Sequence, residues 1–292
     1  MAYNFQKINR IFAFPLLFMG MIFILSCEKE KEISYDIPYD KDKLVLIGFI
    51  SAQNGVDAYV SHTLSPSAQD QPAPVVNGVV VEVLEDGLLV DTLVDAGEGH
   101  YVSTPDIVFG ESKKYALRVR AAGFDEVRTP QAVLPAAPEV TDAHIVEVTD
   151  SSDLIRLVYA FSDPIDSHPN FYQVNSFRYD TLGNRLDATG DEFFDAFGSF
   201  SDSGFDGQEY ASYISTYATF YNYDTEEIIP VGGIELQVIS FSEEVSRYLE
   251  STYNYEGTRY SPWYDPLPIY NNILGGYGIW GAYAVTKRRV SL

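Results

Sequence analysis

Apolar and polar residues alternate in short bursts along most of this chain. Leu44 to Ile50 is an apolar run leading to Ala52-Gln53-Asn54-Gly55, whose Asn-Gly pair is a strong turn signal, and Val56 to Thr63 resumes the alternation. Val79, Val81 and Val83 alternate up to the turn Glu85-Asp86-Gly87; Leu88 to Val94 follows, then Ala96-Gly97-Glu98-Gly99 and Tyr101. Tyr115, Leu117 and Val119 alternate with Ala116, Arg118 and Arg120, and Phe124 to Val133 completes the set. About seven short strands in roughly 90 residues, with Gly-rich turns and no helical periodicity, predict a β-sandwich of immunoglobulin-like or transthyretin-like type. The sequence has no Cys-Trp-Cys core of the antibody kind.

Leu134-Pro135-Ala136-Ala137-Pro138 reads as an exposed, extended linker. Beyond it, Ala143 to Val148, Leu154 to Phe161, Phe171 to Tyr179 and Ile234 to Phe241 have the pattern of strands, and Leu182-Gly183-Asn184 fits a hairpin turn between Phe177–Thr181 and Arg185–Ala188. One segment has a different period. Ser242-Glu243-Glu244 starts like a capped helix, with Ser242 taking the first free amides and the glutamates meeting the positive end of the dipole. Val245, Tyr248 and Leu249 then fall at helical spacing, which predicts one helix from Glu243 to Tyr253, expected to cover an open end or edge of the second sheet. The expected fold is all-β: two consecutive β-sandwich-like domains, 43–133 and 139–292, joined by 134–138, the second with one short helix near 243–253.

The amino terminus is built differently. Lys7 and Arg10 precede an apolar segment from Ile11 to Leu25, then Ser26 and Cys27, which is the layout of a secretory leader over residues 1–26. The segment falls short of the roughly 20 apolar residues that span a bilayer. Cys27 is the only cysteine, and Ile24, Leu25 and Ser26 before it resemble a lipobox, so the thiol is expected to carry a diacylglyceryl group and the freed amine a further acyl chain. Each buried methylene contributes about 0.8 kcal/mol to anchoring. A single cysteine rules out an intramolecular disulfide and any metal site built from several cysteines. Residues 27–42, highly charged and poor in aliphatics, read as a tether.

Without the leader the chain keeps 17 basic against 42 acidic residues, a formal charge of −25. Such a surface excludes nucleic acid as a partner and gives no attraction to anionic headgroups, so the lipid on Cys27 would be the membrane attachment.

Candidate chemistry is sparse. His62, His100, His144 and His168 lack zinc-site spacing, and there is no G-x-S-x-G elbow or phosphate-binding glycine loop. Asp191 to Gly207 clusters carboxylates, and Asp202, Ser203 and Asp206 with Gly204 and Gly207 offer calcium-type ligands, but without EF-hand spacing. That stretch reads better as a polar loop whose Phe193, Phe194, Phe197 and Phe205 dip into the core, so no metal and no cofactor are expected. Aromatic residues crowd two stretches, one from Tyr210 through Tyr213, Tyr217, Phe220 and Tyr221 to Tyr223, the other from Tyr253 to Tyr270. Such residues suit either a core or a sugar- or protein-binding surface, and Trp263, Tyr264 and Trp280 are the binding candidates.

Several of these features together carry a resemblance: Cys27 followed by charges, Lys43-Leu44-Val45-Leu46, the Gly99-His100-Tyr101 turn, Ser201 to Gly207 and, most specific, Asn272 to Tyr283. In them the chain resembles outer-membrane lipoproteins of Bacteroidota that share domain of unknown function 4249. In the last motif Asn272, Gly275 and Gly276 suit a tight turn, and Gly278, Trp280 and Ala282 alternate with Ile279, Gly281 and Tyr283 in a closing strand. The resemblance implies location and company: an accessory lipoprotein encoded near TonB-dependent outer-membrane transporters, with no catalytic residue to carry over. Glu28 to Glu32 resemble a cell-surface signal with lysines interleaved, which implies surface display, the periplasmic face being the alternative. The expectation is therefore a non-enzymatic, lipid-anchored protein that binds such a transporter and its nutrient cargo. The alternative is a stand-alone glycan- or peptide-binding lipoprotein.

Overall fold

Alternation becomes strand almost wherever the sequence shows it. The computed structural model describes residues 41–65, 74–111, 113–148, 153–165, 169–187, 198–258, 263, 265 and 267–292. Before the Pro-rich segment come β1 (Leu44–Ser51), β2 (Gly55–His62), β3 (Val80–Glu85), β4 (Leu88–Thr92), β5 (Val94–Gly97), β6 (His100–Val102), β7 (Lys114–Arg120), β8 (Val127–Arg128) and β9 (Ala132–Val133). After it come β10 (Glu139–Glu147), β11 (Leu154–Ser162), β12 (Phe171–Asp180), β13 (Ser199–Ser201), β14 (Glu209–Tyr217), β15 (Thr219–Asn222) and β16 (Glu227–Phe241). Helix α1 (Glu243–Thr258) and β17 (Tyr277–Ser291) complete the chain.

The longest sheet has the order β13-β12-β16-β17-β1-β2-β6-β5, with β15 added against β16. Two smaller sheets, β4-β3-β7-β8 with β9 on β7, and β10-β11-β14, each cover part of it. In the first core Leu44, Leu46 and Ile50 of β1 and Val56, Ala58 and Val60 of β2 meet Val81 and Val83 of β3 and Tyr115, Leu117 and Val119 of β7. In the second, Ile155, Leu157, Tyr159 and Phe161 of β11 meet Tyr172 of β12 and Ile234, Leu236 and Val238 of β16. Each fully buried aliphatic or aromatic side chain contributes about 1.5–3 kcal/mol over its exposed state. The fold is all-β and sandwich-like, with two sandwiches sharing one sheet.

Strand β17 joins the two. Its first part runs parallel to β1, from Val45↔Tyr277 to Ile50↔Ala282, and the rest runs antiparallel to β16, from Phe241↔Tyr283 to Gly233↔Ser291. The segment 134–138 marks where the chain passes from one core to the other, yet Ile273, Trp280 and Ala282 from beyond it are buried in the first core. Nor is that segment the exposed linker its prolines suggest. Leu134 is buried, Ser240 Oγ donates to the Ala136 carbonyl at 2.7 Å and Thr286 Oγ1 to the Pro138 carbonyl at 2.6 Å.

A strand that changes partner midway leaves backbone groups on one edge without a neighbour, and unpaired groups there are costly. Residues 278, 280 and 282 of β17 face that edge before β16 begins. Gly278 N–H donates to Asn271 Oδ1 at 2.9 Å, and its carbonyl accepts Asn272 N–H at 3.3 Å. Trp280 N–H donates to Asn272 Oδ1 at 2.9 Å, and Asn272 Nδ2 donates back to the Trp280 carbonyl at 2.8 Å. Ser242 N–H donates to the Ala282 carbonyl at 2.9 Å, while Ala282 N–H reaches Ser242 Oγ at 3.4 Å. Ser242 therefore does not cap the helix with its side chain as its position predicts. Its carbonyl accepts Val245 and Ser246 N–H at 3.1 and 3.2 Å, and its hydroxyl fills the ladder position that the carbonyl has left.

Helix α1 runs past its expected end at Tyr253 as far as Thr258, and it covers a face, not an edge. Val245 and Leu249 pack on Ile239, Phe241, Tyr283 and Val285, on the side of β17 opposite Trp280 and Ala282. Gly281 makes room for it, because a Cβ there would run into Val245 Cγ2. Gly278, at φ 121°, needs its missing side chain for two reasons: the backbone conformation, and the Leu46 carbonyl that a Cβ would strike.

Trp280 fills the first core, lies against Gly48 and donates Nε1–H to the Tyr115 carbonyl at 3.0 Å. Trp280→Ala is expected to cost about 3–5 kcal/mol in urea unfolding, whereas Ser242→Ala, losing one side-chain bond, should cost about 1 kcal/mol.

Candidate functional site

The binding candidates separate at once. Trp280 is completely buried, so it offers no surface to a ligand; the glycine-flanked position that suggested a binding tryptophan serves core packing. Trp263 is 87 % exposed, just beyond α1. Tyr264 and the lipidation candidate Cys27 lie outside the described residues.

The first aromatic stretch is sorted by strand alternation. Tyr210 points inward and packs with Phe161, Phe200 and Phe205, and Phe220 packs on the second core with the Arg178 guanidinium 4.9 Å from its ring centre. Tyr213 and Tyr217 of β14 and Tyr221 and Tyr223 at the end of β15 are exposed. Register places Tyr213 beside Val158 and Tyr217 beside Leu154 of β11. Arg156 stands over Tyr213 at 4.8 Å from its centroid, and Tyr221 and Tyr223 meet edge to face at 4.9 Å. This outer face of β11 and β14 exposes Tyr213 and Tyr217 with Arg156 beside them.

Of the acidic stretch, residues 191–197 lie outside the described residues, and Phe205 packs on the second core as expected. Asp202 and Asp206 are joined by Asp163, which sequence reading missed because it follows β11, some 40 positions earlier. Oxygens of these three carboxylates lie within 4.8 Å of one another. Asp163 and Asp202 are buried. Asp163 accepts the Tyr172 hydroxyl and, at 2.7 Å, the Gly207 N–H; Asp202 Oδ2 accepts Asn170 N–H at 2.9 Å. Burial, and next the bond to Asp163, push the Tyr172 phenol far above its ordinary range. Such oxygens suit a hard divalent cation, but the bonds described give each buried carboxylate a structural task. They pin the 202–207 turn to the ends of β11 and β12. Ser203, the remaining calcium-type candidate, has its hydroxyl bonded to that of Ser201 at 3.3 Å.

The three described histidines lie on three different strands. His100 Nε2 lies 3.0 Å from Asp57 and its ring stacks on Tyr59; His144 Nδ1 lies 2.9 Å from Asp142; His62 Nδ1 contacts the Thr63 carbonyl at 2.9 Å. Among the described residues the fold gathers no histidine into a ligand set. His168 lies outside them.

The class these observations define is a β-rich double sandwich with aromatic and apolar side chains exposed on its faces. The chain belongs to the family described as a domain of unknown function, DUF4249, whose model matches residues 30–289. No curated protein matches it.

Glu82 of β3 is buried on the outer face of its sheet between Arg118, at 2.5 Å, and Arg120, at 2.8 Å. The bond from Arg118 holds its carboxyl below the usual value of 4.5; burial opposes this, and the two arginine charges add to it. A carboxyl with a lowered folded pKa contributes stability above its unfolded value and loses it as pH falls through the folded one. Glu82→Gln should thus lower the melting temperature at neutral pH, and the gap to the natural protein should close as pH drops below 4.5. A gap that persists unchanged to pH 2–3 would show that the ionised carboxylate is not the stabilising form.

Proposed function

We propose that this protein is a lipid-anchored accessory protein of the outer membrane, displayed at the cell surface, that works by binding and not by catalysis. Its partner in this proposal is a TonB-dependent transporter, together with the transporter's nutrient cargo. The observation that carries the reading is the layout before the fold: a charged start, an apolar run, Cys27, a charged tether and then β1. Two acyl chains or more anchor a protein stably. The transporter is what the resemblance drawn from the sequence motifs implies; the family match itself is to a domain of unknown function.

The entry into the fold suits a tethered protein. Lys43 N–H donates to Thr63 Oγ1 at 3.0 Å, and Leu44 begins a strand held on one side by β17 and on the other by β2. A pull on the anchor is then shared across two ladders before it reaches any core.

A second reading, a stand-alone glycan- or peptide-binding lipoprotein, draws on the exposed Tyr213, Tyr217, Tyr221 and Tyr223. Tyrosine combines an apolar ring with a hydrogen-bonding tip, which suits sugars and peptides. Tight binding on glycan or peptide arrays by the chain from Lys41 onward would favour it over the first.

Cys27→Ala is expected to leave the β-sandwiches folded and to move the protein from the membrane to the soluble fraction; retention in the membrane would overturn the lipid anchor. Gentle detergent extraction from native membranes should recover a transporter with the protein, and recovery of the protein alone would count against that partner. Protease shaving of intact cells distinguishes the cell surface, where the protein is cut, from the periplasmic face.

A further inference from the structure

The two faces of the long sheet differ where the chain enters the fold. On one face Leu44, Leu46, Ala58 and Val60 belong to the first core. On the other, residues that stand opposite each other in the ladders set their side chains side by side. The row nearest the entry runs Tyr277, Val45, Ser61 and Val75, across β17, β1 and β2 to the bridge beside β2. The next row runs Ile279, Ile47, Tyr59 and His100.

None of the three cores takes in Tyr277, Val45, Ile47, Tyr59 or Val75. Tyr277, Tyr59 and Val75 are exposed to 47, 49 and 51 %, and Val45 and Ile47 are partly exposed. Helix α1 covers this face only further along, where Val245 and Leu249 meet Phe49 and Tyr283.

Charge narrows what this open part of the face suits. The chain has 42 acidic residues, yet neither row holds a carboxylate. Asp57 stands one row further, opposite Phe49, and lies 3.0 Å from His100. Lys43, just before the first row, holds its ammonium 5.3 Å from the centre of the Tyr277 ring. Tyrosines with aliphatic neighbours and a lysine, without acids, suit a membrane-water boundary, where amphipathic rings sit at headgroup level. A surface with the chain's average charge would instead be repelled by anionic headgroups.

Connectivity points the same way. From Cys27 to Lys41 is 14 residues, a length that reaches about 50 Å when fully extended and much less as a coil. An anchor on Cys27 therefore keeps the entry end of the sheet close to the membrane, where high local concentration favours even a weak contact.

We propose that this open face of β17, β1 and β2 is a membrane-contact surface. Tyr277, Val45, Tyr59 and Val75 lie in the lipid headgroup region, with Lys43 beside the phosphates. The inference rests on the lipid anchor of the proposed function and adds the face that the anchored protein turns to the bilayer.

The test uses the full protein on vesicles of phosphatidylethanolamine and phosphatidylglycerol. It is held there by its own acyl chains or, if Cys27 is not acylated, by coupling the thiol to a maleimide lipid. Flotation before any coupling reads the anchor by itself. An environment-sensitive fluorescent amino acid replaces Tyr277, and separately the exposed Leu182 as control, and spin-labelled phospholipid is the quencher. Quenching at Tyr277 is expected to exceed that at Leu182 several times over. Val75→Asp puts a carboxylate into the face. It should shift the balance between contact and release about tenfold, lowering the quenching towards the control with the melting temperature nearly unchanged. Should that variant fail to fold, Tyr59→Ser removes an exposed ring and should act likewise. Equal quenching at the two positions, or indifference to the folded variants, would overturn the proposal. So would an emission shift without quenching by lipid, the result that a second copy on this face would give. A protein that does not float by itself but shows the quenching once coupled keeps the face and removes the natural anchor; one that floats with Tyr277 unquenched does the reverse.

Discussion

The change of partner along β17 is the constraint on which the rest of the fold depends. One strand of 15 residues lies parallel to the first strand of the chain and then antiparallel to β16, so the two sandwiches are halves of one hydrogen-bonded sheet. Such a junction can exist only if the backbone groups exposed at the change of partner find other donors and acceptors. Asn271, Asn272 and Ser242 supply them, and each does so with geometry a larger or apolar side chain could not reproduce.

The need to satisfy those backbone groups explains the density of small and amide residues between Asn271 and Ala282. Asn272 takes the place of a neighbouring strand for Trp280, satisfying its N–H and its carbonyl together. Gly278 lets β17 run against the Leu46 carbonyl, and Gly281 lets α1 settle on the opposite face while Trp280 fills the first core. A motif that looks like a ligand site in one dimension is a joint in three, and this is why its tryptophan is buried.

With the interior devoted to joining two cores, what remains for binding is on the outside. The outer face of β11 and β14 carries exposed tyrosines with one arginine, and β4 exposes Leu88, Leu89 and Val90. The buried carboxylates Asp163 and Asp202 hold a turn against two strand ends, and Glu82 with its arginines ties β3 to β7. These charged groups are placed where they shape the surfaces without occupying them.

Local pattern was enough to determine most of the strands, though not β13, β14 and β15, most of the turns, the start of the helix and the all-β class, because alternation and Asn-Gly or Asp-Gly turns act within a few residues. What the pattern could not carry was pairing between distant segments. That β17 returns to β1, that 134–138 is pinned under β16 and β17, and that Asp163 joins Asp202 and Asp206 all depend on contacts between residues far apart in the chain. The same holds for exposure. Tyrosines a few positions apart read alike in sequence, and only the sheet's register sent Tyr210 into the core and Tyr213 and Tyr217 to the surface. Trp280 is the sharpest case, since its spacing among glycines suits a binding residue or a core one equally, and only the sheet packed over Gly48 decided for the core.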